Sequence, residues 1–460
     1  MTEQNLLENS VTRSIYEDIE NNKKFYIEFL QKLIQINTSK PAGNINQIVF
    51  EITDFLEEER VICEKIPVQV GKEQYTLFAF LNDSFEKKNL LFNGNMDAVP
   101  ADQQDDWRFP PFSATIKRKQ IYGRGAKDIK GGLPAMVITL RILKKICPNL
   151  KGNLIFNTVI DEEIDDKWGT KFCIEIRLNS INMDFAIVGE PTGLYPLPKS
   201  IVMGEKGVIQ VKVHTKGKSC HFSMPFIGQN TIDMIWEINH HLEELETYLT
   251  EIPPPMTYDE IEQLLASSFP NQEIFQTLLT QQSIIKHLLL ALTTSTYSFN
   301  IIKGGDADNI VPGECEGLID FRLLAGQNPV NIMHALEKMI SNLGFRHLDQ
   351  TQLQSEAIGV YLEQQFSAEA SYWNEWRNST HLRYFYNLVE QTFGRKPFYF
   401  LYPACSDARF IRNTGCCRNT IVFGPGNAGS VHSVDESIEV EDFLNAIKIY
   451  ALFAYKFLKK

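Results

Sequence analysis

The chain has 460 residues, 43% hydrophobic and 22% charged, with a net charge of −12 from 45 basic and 57 acidic side chains. That length exceeds one ordinary core and points to two domains, and an acidic surface without a basic stripe excludes nucleic acid and anionic membrane as partners. No apolar run reaches the length of a membrane span, the polar opening MTEQNLLENS is no signal peptide, and the eight cysteines contain no CxxC pair, so reduced thiols in a cytoplasmic protein are expected.

In chain order, Ile15, Ile19, Phe25, Phe29 and Leu33 recur at helical spacing and predict one helix over 13–36. Asn44 is placed to cap a second helix whose buried stripe is Ile48, Ile52, Phe55 and Leu56. Strand-like runs follow at 76–82, 89–94, 153–159 and 184–188, with a glycine-opened helix at 131–146 between the second and third. Alternating strands and helices mean an α/β architecture with a mixed, mostly parallel sheet flanked by helices. Near residue 205 the texture changes. VIQVKVH (208–214) alternates as a half-exposed strand does. A helix is expected at 230–248, strands at 298–305 and 317–324, and a helix at 329–343. This block reads as an α+β unit inserted over 205–375, leaving 1–204 and 376–460 as one α/β domain that ends in a helix at 440–458. The stretch 245–295, with PPP at 253–255, has no clear place.

Acidic residues stand just beyond the strands. NGNMDAVP (93–100) carries Asp97, GRGAKDIKGG (123–132) carries Asp128, VIDEEIDDKWG (159–169) carries Glu162 and Glu163, and IVGEPTG (187–193) carries Glu190. Ligands of an open α/β sheet bind at the carboxyl ends of its strands, so these loops are expected to converge. Converging carboxylates repel unless a cation sits among them. His432, in VFGPGNAGSVHSVDES (422–437), adds an imidazole, which makes the cation zinc-like. Any one of these loops alone reads as an ordinary surface loop; five in order do not.

This order of motifs resembles the M20 metallopeptidases and deacylases, whose pattern runs H-x-D, GRG-x-x-D-x-K-G-G, D-E-E, G-E-P and a late histidine before an acidic residue. The resemblance spans about 25 to 437 and includes CHFSMP, SDARFI and FGPG. It implies an amidohydrolase with a catalytic domain and an inserted, ferredoxin-like lid and dimerisation domain. It implies that Asp128 bridges two metals, that Glu163 and His432 complete one site, and that Glu190 serves the other. The metal would be Zn2+, one or two per chain, with Mn2+ and Co2+ as alternatives. Glu162 would be the general base, moving a proton from activated water to the leaving amine. In the inserted domain, His221 of GKSCHFSMP (217–225) would stabilise the oxyanion in the partner subunit of a homodimer. Asn309 and Arg322 of GGDADNIVPGECEGLIDFRLL (304–324) would bind substrate, Arg322 through its carboxylate; an ion pair of Arg322 with Asp320 or Glu316 is the other reading. The substrate would be a small amide bearing a free carboxylate, an N-acyl amino acid or a peptide.

Two departures from the pattern stand out. The first motif reads Asn95-Met96-Asp97, so the expected imidazole is replaced by Asn95, and Asp97, which would steady that imidazole, lacks its partner. Three readings follow: the Asp128–Glu163–His432 site works alone; Asn95 accepts a harder, oxygen-preferring ion such as Mn2+; or the cleft binds a ligand or runs another acyl transfer without hydrolysis. The second departure is PACSDARFI (403–411), where Ala404 and Cys405 replace Gly and Thr. Cys405 is read as pocket lining, because no base or cation in the sequence is assigned to activate it as a nucleophile.

Overall fold

Asn22 splits the first helical stretch in two. The computed structural model describes residues 3–39, 43–69, 72–101, 104–163, 167–249 and 251–459, and it opens with α1 (Glu3–Asn21) and α2 (Lys23–Gln35) instead of the single expected helix. Asn is a weak helix former, and Asn22 turns its own amide onto the Asp18 carbonyl at 2.8 Å. The second helix buries Tyr26, Phe29, Leu30, Leu33 and Ile34, while Phe25 stays 40% exposed. The expected stripe of α3 (Ile45–Glu57) is buried, and Asn44 caps it by accepting the Gln47 N–H at 3.3 Å. Then come β1 (Ile62–Gln69), β2 (Lys72–Phe80), β3 (Asn89–Asn95), the short β4 (Thr115–Lys117) and β5 (Gln120–Tyr122), and α4 (Gly132–Ile146). After them run β6 (Asn153–Val159), α5 (Thr170–Ile176), β7 (Phe185–Val188) and β8 (Ser200–Glu205).

The inserted unit begins with β9 (Gly207–Lys216), whose strict burial alternation matches a sheet covered on one face. A short β10 (Cys220–His221) and α6 (Thr231–His240) follow. The helix expected to reach residue 248 ends at His240 and continues as a 3-10 turn over Leu242–Tyr248. Next are α7 (Tyr258–Ala266), α8 (Gln272–Gln281) and α9 (Ser283–Thr293), then β11 (Thr296–Gly304), β12 (Ile310–Val311), β13 (Glu314–Leu323), α10 (Pro329–Asn342) and β14 (Gly359–Ala368). The strands pair antiparallel in the order β11-β13-β9-β14, with β10 and β12 as a separate ribbon. Ile209, Val211, Val213, Ile319 and Phe321 of this sheet share a core with Met234, Ile238, Leu336 and Ile340 of α6 and α10.

The chain returns through β15 (Ser371–Tyr372), α11 (Thr380–Phe393), β16 (Phe398–Tyr402), α12 (Ala408–Asn413), β17 (Thr420–Val422), β18 (Ser437–Glu439) and α13 (Val440–Leu458). The large sheet runs β1-β2-β6-β3-β7-β17-β8-β15, with β16 also on β8. Its centre, β6-β3-β7-β17, is parallel, and α4 and α13 pack together against it. Its core also holds Ile261, Leu265, Phe275, Leu279, Ile285 and Leu289. The stretch that the sequence leaves without a place is thus three helices, which bury their apolar stripes in the larger core, α7 lying against β16. Among the described residues no helix is long and apolar enough to cross a membrane.

Candidate metal centre

Four adjacent parallel strands point their carboxyl ends to one side, and the loops that leave them carry the acidic motifs. β3 ends at Asn95, the loop after β6 holds Glu162 and Glu163, the loop after β7 holds Glu190, and the loop after β17 holds His432. The glycine-rich segment that carries Asp128 leads into α4. Close approach explains its glycines: a Cβ on Gly132 would stand 2.1 Å from the Gly189 carbonyl oxygen, as would one on Gly424. These contacts draw the loops after β7 and β17 against the start of α4.

The result is one cluster. An oxygen from each of Asp128 and Glu163 and a ring nitrogen of His432 lie within 4.8 Å of one another. His432 Nε2 is 3.0 Å from Asp128 Oδ2 and 3.4 Å from Glu163 Oε1. Hydrogen bonds to Asp128 and Glu163 raise the His432 pKa to about 10. Burial, opposed by the His432 hydrogen bond, pushes the Glu163 carboxyl to about 7. Glu190 is raised well above the usual carboxylate range by burial and then by the charges of Asp128, Glu162, Glu163 and Asp407. Asp97 accepts the Glu163 backbone N–H at 3.1 Å, so it steadies a residue of the cluster although position 95 holds no imidazole. Asn95 is buried; its amide nitrogen donates to the Asp97 carbonyl at 3.3 Å. The charge of Glu162 acts on Glu190, Tyr402 and Cys405.

Other residues that the sequence singles out lie elsewhere. His221 and Asn309 sit on the exposed β10–β12 ribbon, where the His221 ring bonds Ser223 Oγ at 2.8 Å and the Asn309 carbonyl accepts the Phe222 N–H. Arg322 is paired with Asp320, Nε to Oδ1 at 2.6 Å, and Asp320 also accepts from Gln210. Glu316, the other candidate partner, is taken by Lys212 and His214. The Cys405 thiol is pushed up to about 12 by burial and donates to the Lys206 carbonyl at 3.1 Å, so it stays protonated at neutral pH.

Sequence reasoning missed Glu436. Its buried carboxylate accepts the N–H groups of Gly125, Lys127 and Asp128 and the guanidinium of Arg124. An acid four residues after His432 was its only local signal. Missed too was the buried network in which Glu205 accepts from Ser371, Ser406 and Arg412 beneath the 403–411 loop.

Two carboxylates and an imidazole at these distances suit a zinc-type ion with a coordination position left for water. The buried acids nearby repel one another in the absence of such an ion. The model of peptidase family M20/M25/M40 matches residues 91–456, and the chain therefore belongs to that family and is a hydrolase of the metallopeptidase and desuccinylase type. It is 26% identical over 441 residues to a probable succinyl-diaminopimelate desuccinylase of Staphylococcus aureus, covering 95% of this chain and 98% of that one. It is also 26% identical over 365 residues to a succinyl-diaminopimelate desuccinylase of Polynucleobacter necessarius, covering 79% and 80%. Among solved structures, an M20 family metallo-carboxypeptidase of Sulfolobus solfataricus superposes with a TM-score of 0.73 at 22% identity, over 94% of this chain and 99% of that one. A dinuclear metal-binding M20 peptidase of Bacillus subtilis does so with a TM-score of 0.62 at 14% identity, over 96% and 99%.

Proposed function

We propose that this chain hydrolyses an amide bond in a small substrate bearing a free carboxylate, an N-acyl amino acid or a short peptide, with an N-succinyl amino acid as the first candidate because the curated relatives carry desuccinylase names. The observation that carries this reading is the meeting of Asp128, Glu163 and His432, three residues distant in the chain, within reach of one cation. Those three would hold a zinc ion. When bound there, the ion supplies Lewis-acid polarisation of the amide carbonyl and of water. Glu162 is the general base: it takes a proton from the attacking water and delivers it to the leaving amine. Asp97 orients Glu163 through the backbone N–H it accepts. Glu190 and Asn95 line the neighbouring side of the cluster.

The remaining assignments rest on the inserted unit, for which we propose 207–249 with 296–368 as the lid and dimerisation domain. Large apolar side chains are exposed on it: Phe226 82%, Trp236 68%, Phe222 57% and Ile302 54%. Exposed apolar side chains of this size suit a protein interface, and β11 is an edge strand whose outer side is unpaired among the described residues. A second copy covering this face would form a homodimer, in which His221 and Asn309 reach the partner's cleft and His221 stabilises the oxyanion. Arg322 exchanges Asp320 for the substrate carboxylate, and Cys405 lines the pocket. The free thiols fit a reducing compartment such as the cytoplasm.

The test is zinc content and hydrolysis of N-succinyl and N-acetyl amino acids. One zinc per chain lost in His432→Ala, and hydrolysis lowered about 10²–10⁴-fold in Glu162→Gln with zinc retained, is the expected pair of results. Zinc held with no hydrolysis of any such amide would replace this reading with a ligand-binding or acyl-transferring cleft.

A further inference from the structure

β3 and β7 are parallel neighbours with Asn93 opposite Val188. The Gly189 N–H donates to the Asn93 carbonyl at 3.0 Å, so the register continues past the last paired residues. Two residues beyond that pair stand Asn95, the last residue of β3, and Glu190, in the loop just past β7. Residues in register on parallel neighbours point to the same side of the sheet. The segment after Asp128 packs against the residues just before this pair: a Cβ on Gly94 would stand 2.5 Å from Ile129 Cδ1, and one on Gly132 2.1 Å from the Gly189 oxygen. Asn95 is 1% exposed and Glu190 6%.

One atom here has an unmet need. The Asn95 amide is oriented by its nitrogen, which donates to the Asp97 carbonyl. Its Oδ1 is buried and has no hydrogen-bond partner among the described residues. On the neighbouring strand's side stands Glu190, also buried, within reach of the charges of Asp128, Glu162, Glu163 and Asp407. A buried acceptor without a donor is costly, and so is a carboxylate among carboxylates; one cation relieves both.

We infer that Asn95 Oδ1, Glu190 and Asp128 form a second cation site, built only of oxygen, that takes a hard divalent ion of the Mn2+ and Mg2+ class. The physical reason is the donor set. Carboxylate and carbonyl oxygens suit Mg2+ and Mn2+, whereas imidazole favours zinc. An imidazole at position 95 would give both sites a nitrogen donor and one metal preference. With an amide there, the two sites differ: His432 makes the first zinc-selective, and the second lacks any group that gives zinc an advantage of that size. The inference rests on the first site being a zinc site, as proposed above.

The test uses full-length protein stripped with chelator and reloaded with one equivalent of Zn2+. Mn2+ is then titrated in, with free Mn2+ followed by electron paramagnetic resonance and bound metal by mass spectrometry. One further Mn2+ per chain is expected, displaced by excess Mg2+, with a zinc-over-manganese preference at least about tenfold weaker than that of the first site. Asn95→Leu should weaken Mn2+ uptake about tenfold or more and leave the first zinc in place. Asn95→Asp, which substitutes a charged oxygen, should tighten it, and Asn95→His should restore preference for zinc. No Mn2+ uptake at millimolar concentration, a second site as zinc-selective as the first, or uptake indifferent to Asn95→Leu would each overturn the inference. Should Asn95→Leu fail to fold, an unchanged Mn2+ affinity in Asn95→Asp would do so. Absence of the first zinc, or its persistence in His432→Ala, strikes the hydrolase reading and is measured separately.

Discussion

The carboxylate of Glu436 and the guanidinium of Arg124 meet at 2.8 Å with both side chains almost wholly buried. Arg124 also donates to the His432 carbonyl at 3.3 Å, and Glu436 gathers the N–H groups of the Asp128 loop. One ion pair therefore fixes two loops, far apart in sequence, that bring Asp128 and His432 into one cluster. Glu436→Ala strands a buried guanidinium and should cost about 3–5 kcal/mol, read by the midpoint of chemical denaturation. Zinc affinity should fall about 10–100-fold. Glu436→Gln, which keeps an acceptor oxygen, should lose less of both. Wild-type values for both in Glu436→Ala would show the pair to be idle.

His432 carries a proton where the zinc ion would sit. Its hydrogen bonds to Asp128 and Glu163 raise it from 6.5 to about 10. Because the folded value is the higher, this contact stabilises the metal-free fold fully below about pH 6.5 and is lost as the pH rises through about 10. Zinc competes with that proton. Zinc uptake at pH 8 should release protons into solution, and affinity should weaken as the pH falls. Calorimetric titration in buffers of different ionisation enthalpy reads the release directly; heats that do not depend on the buffer would contradict it.

Trp236 on α6 and Ile302 on β11 are 68% and 54% exposed, and α6 packs beside β11. Charges at both positions, Trp236→Glu with Ile302→Asp, should convert a dimer into monomers in light scattering without unfolding the chain. Zinc content should hold, and hydrolysis should fall with the loss of the partner's His221. A double variant that remains dimeric would move the interface elsewhere.

Lys206, at the junction of the two domains, buries its ammonium against the carbonyls of Ala291 and Thr294 at the end of α9, at 2.7 and 2.8 Å. Burial lowers its pKa from 10.5 to about 8. The unfolded chain then binds more protons than the folded one between about pH 8 and 10.5, so this group makes stability rise with pH across that window. Urea unfolding at a series of pH values should show the rise in the wild type and not in Lys206→Met. At pH 7 the variant should be less stable by about 1–3 kcal/mol, because two helix-end carbonyls lose their donor. Parallel stability–pH curves for the two proteins would refute this.

How much of this was legible beforehand differs by scale. Period and punctuation marked the central strands, the α4 stretch, the Asn44 cap and α13 closely, because each depends on residues near in sequence. They failed where one residue interrupts a helix, as at Asn22, and where packing alone decides. Helices α7 to α9 show amphipathic stripes, but nothing local says that they cover the larger sheet and not the inserted one.

For the site, the order of motifs pointed to Asp128, Glu163, Glu190 and His432; adjacent parallel strands carry the loops of Glu163, Glu190 and His432 to one side, whereas Asp128 arrives from a loop outside that sheet, ahead of α4. The sequence by itself determined which groups are available to hold a cation, and that Asn95 offers oxygen where nitrogen was expected. Only the tertiary structure decided that Glu436 and Arg124 lock the loops together, that Arg322 rests on Asp320, and that the Asn95 oxygen has no hydrogen-bond partner among the described residues. Hydrogen bonds between residues some three hundred positions apart leave no trace in local periodicity, because they depend on where the folded sheet carries each strand end.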